Sequence, residues 1–526
     1  MKSNEGHSEK LFGPPPFFRC YLAHMNLPAH SILLCTLLLF TAESSAQVSQ
    51  LEVGLTAERE LIRAFSIAAE SESTPTVLVI AGLDGSSPAS EQVQSLVTQY
   101  GERDAAARDV NLLAIPLANP GAEVLLFPPE GDAYGQNPVS HALWRWTGVH
   151  APDIILIVGD DTASFGEAVS NLSVAGIGSI PVQSLADISA LGDQLTEFSS
   201  LDYSPAHSEV ERRLARSPGE LAEQLADIYG HDFSTPAYVP GMGLIGRLRL
   251  GQTSNVEQQL ENYLSAGEVA VSNASLMAGQ LVFAEFARLS GDPRAIDLVV
   301  QAANLGFDES GEMLESMPFH NEMSDSVFMA PPLLVQAGLF TGEDRYFDMA
   351  ARHISFMQNL LLREDGLYRH TPLADVAWSR GNAFPAMGLA LVLSDFPPEH
   401  AAFPELLNSY RDHLERLIRH QNADGLWHQV VDYKGSFPEL SSTAMLGIAI
   451  KRGLDRGWLD TTNYQPVLDA IWQAVLVRTS LNSEFIDVCT STGKMPSLEA
   501  YLDRPAILGL DDRAGGMIMN LAIEML

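Results

Sequence analysis

Three side chains with complementary chemistry fall within five positions: Trp378, Arg380 and Asn382, in residues 375–387 (DVAWSRGNAFPAM). Trp offers a flat stacking face, Arg a fixed fork of donors that matches a carboxylate, and Asn both a donor and an acceptor. Together they suit an anionic sugar. Gly381 lies among them, and the apolar run PAMGLALVL that follows puts the group at the mouth of a helix. Two histidines stand near aromatic residues elsewhere: His370 in DGLYRH, and His428 behind Trp427 in GLWHQV. Asp325, in HNEMSDSVFMAPPLL, precedes an apolar run; taken by itself, this is ordinary N-cap chemistry.

These side chains need a scaffold. From about residue 205 onward, apolar residues recur at helical spacing through LLVQAGLF, YFDMAARHISFMQNLL, AFPAMGLALVL and TAMLGIAIKRGL. Turn signals such as RLSGDPR, LFTGEDR and RGLDRGW return at intervals of roughly forty to sixty residues, a pair of helices per period. A toroid of helical hairpins is expected over residues 205–526, its inner helices apolar nearly all round and its loops converging on a central funnel. An open α-solenoid is the alternative. Ahead of it, TVLVIAGLDG, NLLAIPLANPG and APDIILIVGDD read as strands and SEQVQSLVTQY as a helix, an α/β sheet domain over residues 75–200. Residues 51–69 read as a helix leading into it.

At 526 residues, two or three domains are expected. The formal charge of −35 excludes nucleic acid as a partner, because phosphate neutralisation needs clustered Lys and Arg. It also repels an anionic substrate, so a uronate site must carry its own cations; His370, Arg380, His428 and Lys434 are the candidates. Residues 31–41 (SILLCTLLLFT) are apolar but too short to span a bilayer, and ESSAQ follows, as in an export signal cleaved after Ala46. Residues 1–46 are therefore read as a targeting segment, with Met25 an alternative start, and the mature chain as exported without a stable membrane span. Cleavage would leave Cys489 the one cysteine, so no disulfide framework exists, and no Cys/His cluster has zinc spacing. No metal or cofactor is implied.

Four segments of the helical part resemble the unsaturated uronyl hydrolases, glycoside hydrolase families 88 and 105. They are HNEMSDSVFMAPPLL, DGLYRHTPLADVAWSRGNAFPAMGLA, NADGLWHQVVD with FPELSSTAM, and GLDDRAGGMIMNLAIEM. The resemblance implies an (α/α)6 barrel that removes a 4,5-unsaturated galacturonyl or glucuronyl residue from the non-reducing end of lyase-generated oligosaccharides. It places Asp325 as the acid that protonates C4 of the ring enol ether and then as base for the water that adds at C5. The two-carboxylate spacing rule of ordinary glycosidases does not apply to such a hydration. His370, Trp378, Arg380, Asn382, Trp427 and His428 become substrate-binding candidates. Where many members carry a second Asp, this chain has Asn273, Ala274 and Ser275, and the second aromatic of the W-x-R-G-N segment is Phe384. A catalytically decayed carbohydrate-binding protein on the same fold is therefore the alternative.

Residues 75–200 resemble the zinc carboxypeptidase fold. Asp84 and Ser87 stand where that family has a ligand His and Glu, and VGDD, with Asp160 and Asp161, stands at the third ligand position. Carboxylates alone do not rebuild a zinc site that uses imidazole, so this domain is expected to be inert.

Overall fold

The computed structural model describes residues 48–526 apart from 72, 186, 187, 189 and 190. The export signal and the proposed cleavage point after Ala46 lie outside the described residues. Among those described, no helix is long and apolar enough to cross a membrane.

The first unit is a six-stranded sheet: β1 (Ser49–Leu55), β2 (Leu61–Ile67), β3 (Thr76–Ala81), β4 (Asn111–Ile115), β5 (Ile154–Val158) and β6 (Val182–Leu185), in the order β1-β2-β4-β3-β5-β6. β3, β4, β5 and β6 pair in parallel; β1 and β2 run antiparallel to each other, and β2 to β4. β3 and β5 are continuous apolar runs because both their faces are covered. Helix Ser87–Gly101 supplies Val93, Leu96 and Val97 to one face. Helix Pro138–His150 supplies Val139, Leu143 and Trp146 to the other.

Residues 51–69 are a hairpin, not a helix, and the sheet therefore starts at Ser49 rather than near residue 75. The deciding signal is a period of two: Leu51, Val53 and Leu55 are all buried on one strand. The charged AERE segment, which suggests a helical surface, is the turn. Arg59 adopts φ 67°, and Thr56 binds Glu60 through both its backbone and its hydroxyl.

The second unit is a ring of helices. Tyr238–Arg249, Leu281–Ser290, Pro331–Thr341, Ser379–Asp395, Leu440–Asp455 and Asp512–Glu524 each touch the next, and the last packs on the first. Pro218–Ala226, Thr253–Ala266, Pro293–Ala303, Arg345–Leu361, Phe403–Leu417 and Thr461–Arg478 lie against them from outside. The inner helices are buried nearly all round; every residue from Ala514 to Ala522 is buried, for example. The outer helices bury one stripe only, as in Arg345–Leu361. At the C-terminal ends of the inner helices, Arg249 pairs with Glu285 and Glu524, Arg288 with Asp395, and Arg452 with Glu524. The N-terminal ends gather at the opposite mouth.

The sheet unit braces the ring. Arg145, on helix Pro138–His150, donates to Asp487 at 2.6 Å and to the Ala506 carbonyl at 3.0 Å, and Tyr134 donates to Asp487 at 2.9 Å. Asp487 lies on strand Phe485–Cys489 with φ 67°, so this contact fixes a strained residue just ahead of the segment that carries Tyr501 and Arg504. Both partners are almost fully buried. Replacing Arg145 with Met should leave a buried, half-satisfied carboxylate and cost about 3–5 kcal/mol in urea unfolding. A loss below about 1 kcal/mol would show the brace to be dispensable.

Candidate active site

Asp325 begins the short helix Ser326–Met329 that enters the ring ahead of Pro331–Thr341. Its side chain makes no capping bond, so the N-cap role suggested by SDS is not the one it plays. It is 1% exposed, and neither carboxylate oxygen has a hydrogen-bond partner in the protein. The nearest cation-capable group is His370, whose Nε2 lies 3.5 Å from Oδ1. The loops that carry the two residues are joined, since the Ser324 amide donates to the His370 carbonyl at 3.0 Å.

The His370 ring is oriented from behind. Its Nδ1 is 2.6 Å from the Tyr501 hydroxyl, which also accepts from the Met495 amide at 3.3 Å. This contact turns the opposite ring nitrogen, Nε2, toward Asp325. Trp378 packs beside His370 with ring centroids 4.5 Å apart.

Close approach makes this possible. A Cβ on Gly381 would meet Ser324 Oγ at 3.0 Å, and one on Gly388 would meet the Val327 carbonyl at 2.5 Å. Both glycines let helix Ser379–Asp395 lie directly against the turn that carries Asp325.

The structure thus brings Asp325, His370, Trp378 and Arg380 into one buried group, but it employs Arg380 differently from the expected carboxylate fork. Its guanidinium donates to Ser441 Oγ and the Cys489 carbonyl, and also to the Ser491 carbonyl. Burial opposes its charge, and the neighbouring Cys489 and Glu439 groups more than offset that. Asn382 is likewise consumed, binding both backbone groups of Tyr368 and the Trp378 carbonyl. Trp378 is 0% exposed and donates to Gln429, so in this closed arrangement it offers no open sugar platform.

Trp427 and His428 are not brought to Asp325. Trp427 donates to the Leu417 carbonyl from the hydrophobic core. His428 sits at 2.6 Å from the Ser436 carbonyl, and with Glu52, Arg145 and Asp487 it lines a cavity between the sheet and the ring. Burial lowers its pKa. The short strand Trp427–His428 pairs with Pro438–Glu439 and turns His428 to that side. Lys434 is exposed and pairs with Glu52. Asn273, in the stretch 273–275 where the resemblance implies a second Asp, is exposed and caps helix Ala274–Gly279.

Sequence reasoning missed Tyr501 and Arg504. Both are buried in SLEAYLDRP, and Arg504 lies over the Trp378 ring at 5.0 Å. An aromatic followed three residues later by Arg, the spacing of one helical face, is the signal that could have found them.

The Asp325 turn rests on a histidine that must stay neutral. The Met317 amide donates to His353 Nδ1 at 3.1 Å, and Nε2 lies 3.0 Å from Ser326 Oγ. Burial, with His320 nearby, lowers the His353 pKa to about 3. The unfolded chain binds this proton near pH 6.5 and the native one does not. The stabilisation is therefore complete above about pH 6.5 and is lost as the pH falls toward about 3. Near pH 5 the loss is about 2 kcal/mol. The thermal midpoint should drop between about pH 6.5 and 5, before most carboxylates titrate, and His353→Gln should flatten that slope. An unchanged slope in the variant would refute the assignment.

Residues 269–526 match the family model described as Glycosyl Hydrolase Family 88. Among curated proteins, the chain is 28% identical over 171 residues to the Unsaturated 3S-rhamnoglycuronyl hydrolase of Formosa agariphila, covering 29% of this chain and 45% of that protein. It is 27% identical over 190 residues to the Unsaturated rhamnogalacturonyl hydrolase YesR of Bacillus subtilis, covering 35% and 53%. The chain thus spans about half the length of these relatives. A crystal structure of a possible GH105 family member from Klebsiella pneumoniae superposes with a TM-score of 0.51 at 19% identity, covering 60% of this chain and 92% of that one, a likeness of fold. The stretch matched to Glycosyl Hydrolase Family 88 is the one that holds Asp325, His370 and Tyr501.

Proposed function

We propose that the helical ring is an (α/α)6 glycosidase that removes a 4,5-unsaturated galacturonyl or glucuronyl residue from the non-reducing end of lyase-generated oligosaccharides. Asp325 gives its proton to C4, and the double-bond electrons form the new C–H bond. Positive charge develops at C5 and is shared by the ring oxygen. Water adds at C5 as Asp325 takes a proton back, and the resulting hemiketal opens and expels the leaving sugar. His370, held by Tyr501, faces the carboxyl during both transfers.

The observation that carries this reading is the freedom of Asp325: a buried carboxyl, at the mouth where inner helices begin, with no hydrogen bond of its own. The match of residues 269–526 to Glycosyl Hydrolase Family 88 supports it. So does the nature of the relatives, named as hydrolases of unsaturated rhamnoglycuronyl and rhamnogalacturonyl compounds. No carboxylate stands at Asn273, Ala274 or Ser275, where the resemblance implies a second one, which favours the decayed carbohydrate-binding reading as the rival.

The same proposal takes the chain to be exported, with cleavage after Ala46. It takes the sheet unit to be an inert, carboxypeptidase-like brace. Asp84, Asp160 and Asp161 are exposed, and Asp84 and Asp161 are engaged by the Ser86 and Gly166 amides respectively, which suits an inert role.

Loss of the enol ether's ultraviolet absorbance on an unsaturated uronyl disaccharide tests the reading. Turnover is expected, with Asp325→Asn lowering kcat by roughly 10²- to 10⁴-fold. Binding without turnover, indifferent to Asp325→Asn, would instead establish the lectin-like alternative.

A further inference from the structure

We infer that Arg504, rather than Arg380, receives the carboxylate of the sugar; this rests on the uronyl substrate proposed above. The two arginines lie over the same Trp378 ring, Arg380 at 4.9 Å and Arg504 at 5.0 Å. Their hydrogen bonding differs. Arg380 spends both terminal nitrogens on Ser441 and on the carbonyls of Cys489 and Ser491. Both leave Nε without a partner, but Arg504 uses Nη2 alone, on the Gly493 carbonyl at 2.5 Å, and its buried Nη1 has no partner either.

Arg504 is 2% exposed, and among the described residues no carboxylate forms an ion pair with it. A buried guanidinium with two unmet donors is costly unless an anion completes it. The site supplies that anion with the substrate. Arg504 rests on Trp378 and, at 5.3 Å, on the Tyr501 ring; Tyr501 in turn holds His370, which faces Asp325. The group that binds the carboxylate and the acid are therefore contiguous. The chemistry requires this, because the carboxylate is carried on C5, the neighbour of the carbon that takes the proton. The Gly493 bond can persist, since it takes one hydrogen of Nη2, and Nη1 and Nε each keep a hydrogen for a carboxylate oxygen.

The test is calorimetric binding of an unsaturated uronyl disaccharide, as free acid and as methyl ester, to the full chain carrying Asp325→Asn so that nothing turns over. The acid should bind about 10- to 100-fold more tightly than the ester. Adding Arg504→Gln should abolish that preference while leaving the ester affinity within about threefold, and Arg504→Lys should keep part of it. Ester binding reports that the fold survives; if Arg504→Gln loses it, the lysine variant decides, and an undiminished preference there overturns the inference. An acid preference that survives Arg504→Gln, or one absent with Arg504 intact, also overturns it.

The two readings fail separately. A chain that prefers the acid through Arg504 yet, with Asp325 intact, turns nothing over is not a hydrolase but keeps this subsite. A chain that turns over with an acid preference indifferent to Arg504 is a hydrolase whose carboxylate lies elsewhere.

Discussion

The closure of the inner ring is the constraint on which the site depends. Helix Asp512–Glu524 lies on Tyr238–Arg249 so closely that a Cβ on Gly516 would stand 3.0 Å from the Gly243 amide nitrogen. Only when the last inner helix meets the first do the intervening ones turn their N-terminal ends to one mouth. Each end carries roughly half a positive charge. In a chain of net charge −35, that mouth is a place where an anion meets an attractive local field. The arginines at the other end are tied to carboxylates and offer no such surplus.

From the sheet unit to the acid there runs one line of support. Arg145 and Tyr134 fix Asp487; the carbonyl of Cys489, two residues on, receives Arg380; the segment beyond supplies the Met495 amide to Tyr501, and Tyr501 holds the His370 ring. The hydrogen bonds along it, joined by the backbone from Asp487 to Met495, are buried or partly buried, where an unmade bond is expensive. The sheet is therefore linked to the site without contributing a residue to the group around Asp325.

Much of the fold was legible because burial writes periodicity into sequence. The inner helices are apolar nearly all round, and strands Thr76–Ala81, Asn111–Ile115 and Ile154–Val158 are near-continuous apolar runs, so both were legible; the polar edge strand Val182–Leu185 carries no such signal. The hairpin at Ser49–Ile67 was not legible, since its charged turn imitates a helical surface and its alternation spans only two short strands. Residue types at the site were legible, but their employment was not. Arg380 and Asn382 have the chemistry to bind a sugar, but Arg380 binds Ser441 and carbonyls such as that of Cys489, over a hundred residues away, and Asn382 binds the backbone of Tyr368 and Trp378. No local pattern records which donors are already spent. Arg504 escaped notice for the same reason, because its distinction is what it lacks.

That consideration also bears on the number of acids. Two further carboxylates, Glu439 and Asp511, begin inner helices and are buried. Glu439 accepts from Ser441, Ser442 and the Cys489 amide, while Asp511 caps Ala514 and pairs with Arg513. Carboxylates so bonded are already employed in holding the helix starts in place. Asp325 heads a helix as they do and makes none of those bonds. A displacement at the anomeric carbon would call for a partner acid at a set distance, and the candidates at this mouth are already capping helices. Hydration of a double bond, which one carboxyl can serve in both of its proton transfers, is the chemistry that this distribution of free and spent groups accommodates.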